Sequence, residues 1–156
     1  MAKSSEWNRK PVKQMNRKWI VVHHSATPED YTLEQIRNIH IAQGYSDIGY
    51  NFIVNRQGLK TGRPLDRRAA HCVADKWPYD QYDMNWKSIG LLIIGDFSKK
   101  AADAKLINEA AYAVKTIANK YGIPVDREHV IGHYMASDTF CPGEKTMKDL
   151  YRKLGI

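Results

Sequence analysis

Ile89-Gly-Leu-Leu-Ile-Ile94 carries no polar side chain and is closed by Gly95-Asp96. Side chains alternate between the two faces of a strand, so this run is apolar on both. A strand of that kind lies inside a sheet covered from both sides. It is predicted to be the central strand, and the rest of the chain must supply its neighbours and two covering layers. Lys18-Trp-Ile-Val-Val-His-His24 is a second buried strand, rich in branched residues. Ile48–Asn55 is a third, and Leu59–Arg63 returns from it as a hairpin after a turn at Arg56-Gln-Gly58. His129–His133 reads as a short last strand.

Three helices stand between and after these strands. Thr32 and Gln35 form a capping-box pair, and the helix runs to about Gln43 with Leu33, Ile36, Ile39 and His40 on one stripe before Gly44. His40 reads as a hydrogen-bonded core histidine. Residues 101–121 form the longest helix, facing inward through Leu106, Ala110, Val114, Ile117 and Tyr121 and closed by Gly122 and Pro124. Residues 146–154 form the last. The expectation is an α/β fold, a single-domain mixed β-sheet flanked by helices on both faces. Residues 64–88 have no periodicity, and a loop of that length is functional or mobile. Its aromatics, Trp77, Tyr79, Tyr82 and Trp86, either line a groove or cover the core.

The chain has 156 residues, 43% of them hydrophobic and 26% charged, which is the composition of one globular domain and not of a disordered chain. No apolar run is long enough to span a bilayer, and the first ten residues lack the apolar core of a secretory signal. Synthesis in the cytoplasm is therefore expected, and with it two reduced cysteines. Cys72 reads as a small buried hydrophobe.

The net charge of +7 is uneven. Residues 1–18 contain Lys3, Arg9, Lys10, Lys13, Arg17 and Lys18 against Glu6 alone, leaving the remainder close to neutral. The expected organisation is a basic flexible arm, 1–18, and a domain, 19–156. Such an arm attracts nucleic acid, anionic lipid or an acidic polymer, or serves only as a solvated tail. A nucleic-acid binder would carry its basic charge on a structured face, which counts against that class.

Chemistry concentrates in Ile131-Gly-His-Tyr-Met-Ala-Ser-Asp-Thr-Phe-Cys-Pro-Gly143, where His133 and Cys141 are eight positions apart. Imidazole and thiolate are good zinc ligands. A third comes from the pair His23-His24, whose side chains point to opposite faces, so alternation leaves the choice between them open. Strand ends on one sheet edge converge on one place. Two histidines and one cysteine leave a tetrahedral ion with one open position, the catalytic pattern.

Four stretches, Ile20–Thr27, Asp47–Ile53, Asn85–Gly90 and His133–Gly143, resemble in order and spacing the zinc-dependent N-acetylmuramoyl-L-alanine amidases of the amidase-2 and peptidoglycan-recognition-protein superfamily, most of all short phage endolysins. The resemblance implies that family's mixed sheet flanked by helices and one Zn2+ held by His23, His133 and Cys141. It also implies a catalytic tyrosine at Tyr50 and a second hydrogen-bond donor at Thr139, where some phage and recycling amidases carry lysine. Asn51, His71 and Asn85 are candidate glycopeptide contacts or else structural polar residues, and Asp138 is either a partner of His133 or a turn residue. Residues 72–84 are longer than the usual connection.

The activity implied is hydrolysis of the bond between N-acetylmuramic acid and L-alanine in peptidoglycan. It would be carried out by a monomeric endolysin acting on the wall after membrane permeabilisation, with the arm contacting anionic envelope polymers. A non-catalytic peptidoglycan-binding protein and a cytosolic muropeptide-recycling amidase are the alternatives. Cys141 favours the enzyme over the receptor, because binding-only relatives typically lose that ligand.

Overall fold

The computed structural model describes residues 16–156; the arm's residues 1–15 lie outside the described residues. Among the described residues the elements are, in chain order, β1 (Trp19–His24), α1 (Leu33–Ala42), β2 (Phe52–Asn55), β3 (Gly58–Thr61), a single 3-10 turn (Tyr79–Gln81), the helical turn α2 (Met84–Lys87), β4 (Ser88–Ile93), α3 (Ala104–Tyr121), β5 (Val130–Gly132), the helical turn α4 (His133–Ala136) and α5 (Glu144–Leu154). They form one five-stranded sheet in the order β3-β2-β4-β1-β5, with β4 at its centre. Only the β2–β3 hairpin is antiparallel; β4 runs parallel to both β1 and β2, and β5 runs parallel to β1.

Every residue of β4 is buried, as its composition requires. Ile89, Leu91 and Ile93 face a core shared with Ile20, Val22, Val54 and the inner sides of α3 and α5, through Leu106, Val114, Ile117, Met147 and Leu150. Leu92 faces the other way, with Ile53, Ile48 and Ile36 of α1. Further along that second face, Val21 and Ile131 pack on Cys72, Met84 and Ala136. Cys72 is thus the buried hydrophobe expected, and both cysteines are free.

Helix ends follow their side chains. Thr32 and Gln35 make the reciprocal capping box, and Gly122 closes α3 in the left-handed region. α3 begins at Ala104, three residues later than the sequence suggests, because Asp103 caps it by accepting from the Leu106 amide at 3.0 Å.

β2 begins at Phe52, not Ile48. Residues 47–49 are held by side chains instead of a ladder: Arg63 donates to the carbonyls of Asp47 and Ile48, and the Gly49 amide donates to His40 Nδ1 at 2.8 Å. That bond gives His40 its expected partner. Of the α1 stripe only Ile36 is fully buried, and Ile39 is exposed.

The 64–88 segment is mostly irregular yet contributes Leu65, Ala69, Met84 and Ser88 to the interior. Arg17 fastens it. Assigned by sequence to the arm, Arg17 is 4% exposed. Its guanidinium donates to the carbonyls of Leu65, Arg67, Asn85 and Ser88 at 2.6–3.0 Å. The folded domain therefore takes in Arg17.

Candidate metal centre

β1 and β5 are parallel neighbours with Val22 opposite Gly132. The next residues on each, His23 and His133, leave the same sheet edge side by side, and their ring centroids are 4.5 Å apart. After His133 the chain makes the single turn α4, which sequence periodicity did not reveal, and doubles back. The Tyr134 amide donates to the Cys141 carbonyl at 2.8 Å, and the Cys141 amide donates to Thr139 Oγ1 at 3.2 Å. This hairpin returns Cys141 Sγ to β1, where it accepts from the His24 amide at 3.2 Å and lies 3.8 Å from His23 Nδ1.

One ligand atom from each of His23, His133 and Cys141 lies within 4.8 Å of the others. Around tetrahedral zinc, nitrogen and sulfur ligands are separated by about 3.6 Å, from bonds of about 2.0–2.1 and 2.3 Å. The donor set and spacing fit that ion.

His24 leaves on the opposite face, where its Nδ1 accepts from the Phe97 amide at 3.0 Å. His24 thus pairs the Phe97 backbone, and the cluster with metal-ligand spacing among the described residues contains His23 and not His24. Tyr50 packs edge-on against His23, centroids 5.0 Å apart, and Thr139 is half-buried on the returning loop. Beside Thr139 opens a cleft of about 790 Å³ whose walls include Lys76, Phe97, Lys99, Phe140 and Lys145.

Burial sets the protonation of this cluster. It holds His23 well below the usual imidazole pKa, helped by His71, His133 and His24. It takes His133 down to about 4, with Asp75 opposing and His24 assisting, and pushes the Cys141 thiol up to about 12. Both imidazoles thus offer lone pairs at neutral pH, and without a metal the thiol keeps its proton.

The model of the family described as N-acetylmuramoyl-L-alanine amidase matches residues 13–144. The chain belongs to the amidase-2 family. It is 26% identical over 127 residues to an endolysin of Klebsiella phage KP32, covering 79% of this chain and 78% of that one. Among solved structures, the N-acetylmuramoyl-L-alanine amidase LysC from Clostridium intestinale superposes with a TM-score of 0.74 at 25% identity, covering 92% of this chain and 88% of LysC. Bumblebee peptidoglycan-recognition protein SA superposes with a TM-score of 0.70 at 31% identity, covering 96% and 92%.

Within this amidase-2 domain the three candidate glycopeptide contacts are buried. Asn51 is 1% exposed; its amide donates to the Arg63 carbonyl and its oxygen accepts from the Gly90 amide. Asn85 is 3% exposed and accepts from the amides of His71 and Cys72. His71 is 8% exposed, with Nδ1 2.9 Å from His23 Nε2. All three side chains make hydrogen bonds inside the protein. Asp138 is exposed, and the carboxylate whose charge reaches His133 belongs to Asp75. Arg17, Asp75 and Ser88 escaped sequence reading. Ser88 lay inside a quoted motif, and nothing local marked the other two.

Proposed function

We propose that this amidase-2 domain is a zinc-dependent N-acetylmuramoyl-L-alanine amidase acting on bacterial peptidoglycan as a phage endolysin. The observation that carries the reading is Cys141 beside His23 and His133, a full set of three ligands. The endolysin relative of Klebsiella phage KP32 supports the setting. Among the described residues no helix is long and apolar enough to cross a membrane.

Zinc held by these three ligands supplies Lewis-acid polarisation of the scissile carbonyl and activation of water. In the net reaction water oxygen bonds to the lactyl carbonyl carbon, the bond to the L-alanine nitrogen breaks, and that nitrogen leaves as an amine carrying a proton from water. Tyr50 supports the step as a neutral donor, because burial raises its phenol pKa and keeps its proton in place. One such donor aimed at a developing oxyanion contributes about 3 kcal/mol. Thr139 Oγ1 already accepts from the Cys141 amide, so it steadies the ligand loop and keeps its own proton to donate. The cleft beside it is flanked by lysines that suit the carboxylates of a stem peptide.

The test is digestion of purified peptidoglycan with and without a chelator, followed by mass analysis. Free L-alanine amines on uncut glycan, abolished by chelator and restored by zinc, are expected. New reducing ends, or binding to the wall with no cleavage, would reject the proposal.

A further inference from the structure

A metal-binding imidazole must present a lone pair on the correct nitrogen, and the hydrogen bond at its other nitrogen decides which one is free. At His23 that bond belongs to His71, whose Nδ1 lies 2.9 Å from His23 Nε2. On its far side His71 Nε2 lies 3.4 Å from Ser88 Oγ. Ser88 Oγ is in turn 2.6 Å from the Met84 carbonyl.

The direction of every bond in this row follows from its end. A carbonyl only accepts, so the single Ser88 proton goes to Met84. Ser88 Oγ then accepts from His71, which places the proton of neutral His71 on Nε2 and a lone pair on Nδ1. His71 Nδ1 accepts from His23, which places the His23 proton on Nε2. The remaining lone pair of His23 is on Nδ1, the nitrogen that faces Cys141 Sγ.

The backbone seats this row firmly. The His71 amide donates to Asn85 Oδ1 at 2.7 Å. The His71 ring fills the space over Gly90, where any Cβ would come within 2.5–2.9 Å of three ring atoms. Gly90 thus gives up its own side chain on an otherwise apolar strand so that an imidazole fits against the sheet.

We propose that His71 is a positioning residue, and that the row Met84–Ser88–His71 fixes His23 in the tautomer that directs Nδ1 to the metal. This rests on the reading of His23 as a zinc ligand. It assigns to His71 the orientation of that ligand, in place of contact with glycopeptide.

Two measurements on the full chain test it. Long-range proton–nitrogen NMR of the histidines in metal-free wild type should show protons on Nε2 of both His23 and His71. A proton on His23 Nδ1 would overturn the proposal. Zinc affinity, read by competition with a chromophoric chelator, should fall about 10–100-fold in His71→Ala. It should recover most of that loss in His71→Asn, whose Oδ1 takes the place of Nδ1. An affinity within twofold of wild type in His71→Ala overturns the assignment, as does His71→Asn binding no better than His71→Ala. Correct tautomers and the affinity pattern in a protein that fails to cut peptidoglycan would leave this inference standing and reject only the amidase activity.

Discussion

Removing the Arg17 guanidinium while keeping its stem, as Arg17→Met does, tests how the irregular 64–88 segment is held. The guanidinium serves four carbonyls from three parts of the 64–88 segment, and its own pKa is lowered to about 10 by burial, so it stays charged at neutral pH. Hydrogen bonds to a charged group contribute about 1.5–3 kcal/mol each, so the gross contribution is about 6 kcal/mol at the low end. Relief of guanidinium burial and water reaching the outermost carbonyl, Arg67, offset part of this. The expected net loss is about 3–4 kcal/mol, near the range of about 3–5 for breaking one side of a buried charged pair. That is a large fraction of the about 5–15 kcal/mol available to a domain.

Urea unfolding followed by tryptophan fluorescence reads the loss directly, in parallel with chains lacking residues 1–15 and residues 1–18. The shorter chain should be weaker than the longer by at least the Arg17→Met loss, since it also lacks the Lys18 amide bond to the Lys87 carbonyl. A loss below about 1 kcal/mol in Arg17→Met, the ordinary scale of one neutral hydrogen bond, would refute the view that this residue fastens the segment.

Three further outcomes follow from the site. His23 and His71 are buried with pKa values held well below 6.5, His71 at about 3, so the folded state binds fewer protons than the unfolded one. Their contribution is complete above the unfolded value and is lost as pH falls through it toward the folded value; metal-free protein should therefore lose about 3 kcal/mol from these two between about pH 7.5 and about pH 5.5, checked by urea midpoints at each pH. Tyr50→Phe should lower kcat on peptidoglycan about 100-fold with zinc affinity within twofold of wild type, and an unchanged kcat would remove Tyr50 from the reaction. Cys141→Ser should abolish stoichiometric zinc at micromolar concentration, checked by metal analysis after gel filtration, because a hydroxyl is a far poorer zinc ligand than a thiolate.

The sheet was legible wherever burial leaves a pattern. Ile89–Ile94 and Trp19–Val22 read as buried strands because each lies between two apolar layers. His23, His133 and Cys141 were legible as residue types, but the choice of His23 over His24 needed either family resemblance or the His24–Phe97 bond. The 64–88 segment was illegible for a physical reason. It is held by Arg17, Arg63 and Asn85 bonding to backbone groups as far as 71 residues away, and such bonds leave no period in the sequence. Asn51, Asn85 and His71, by sequence either glycopeptide contacts or structural polar residues, make internal bonds of the same long-range kind. α4 was missed because one helical turn is too short to show a stripe, although it is the turn that sends Cys141 back to β1.

X-ray absorption of the zinc-loaded full chain tests the metal centre most directly. One sulfur near 2.3 Å and three nitrogen or oxygen neighbours near 2.0–2.1 Å around a single ion per chain are expected, with the sulfur lost in Cys141→Ser. A shell without sulfur, a second sulfur, or no stoichiometric zinc at all would contradict the site from which the activity is inferred.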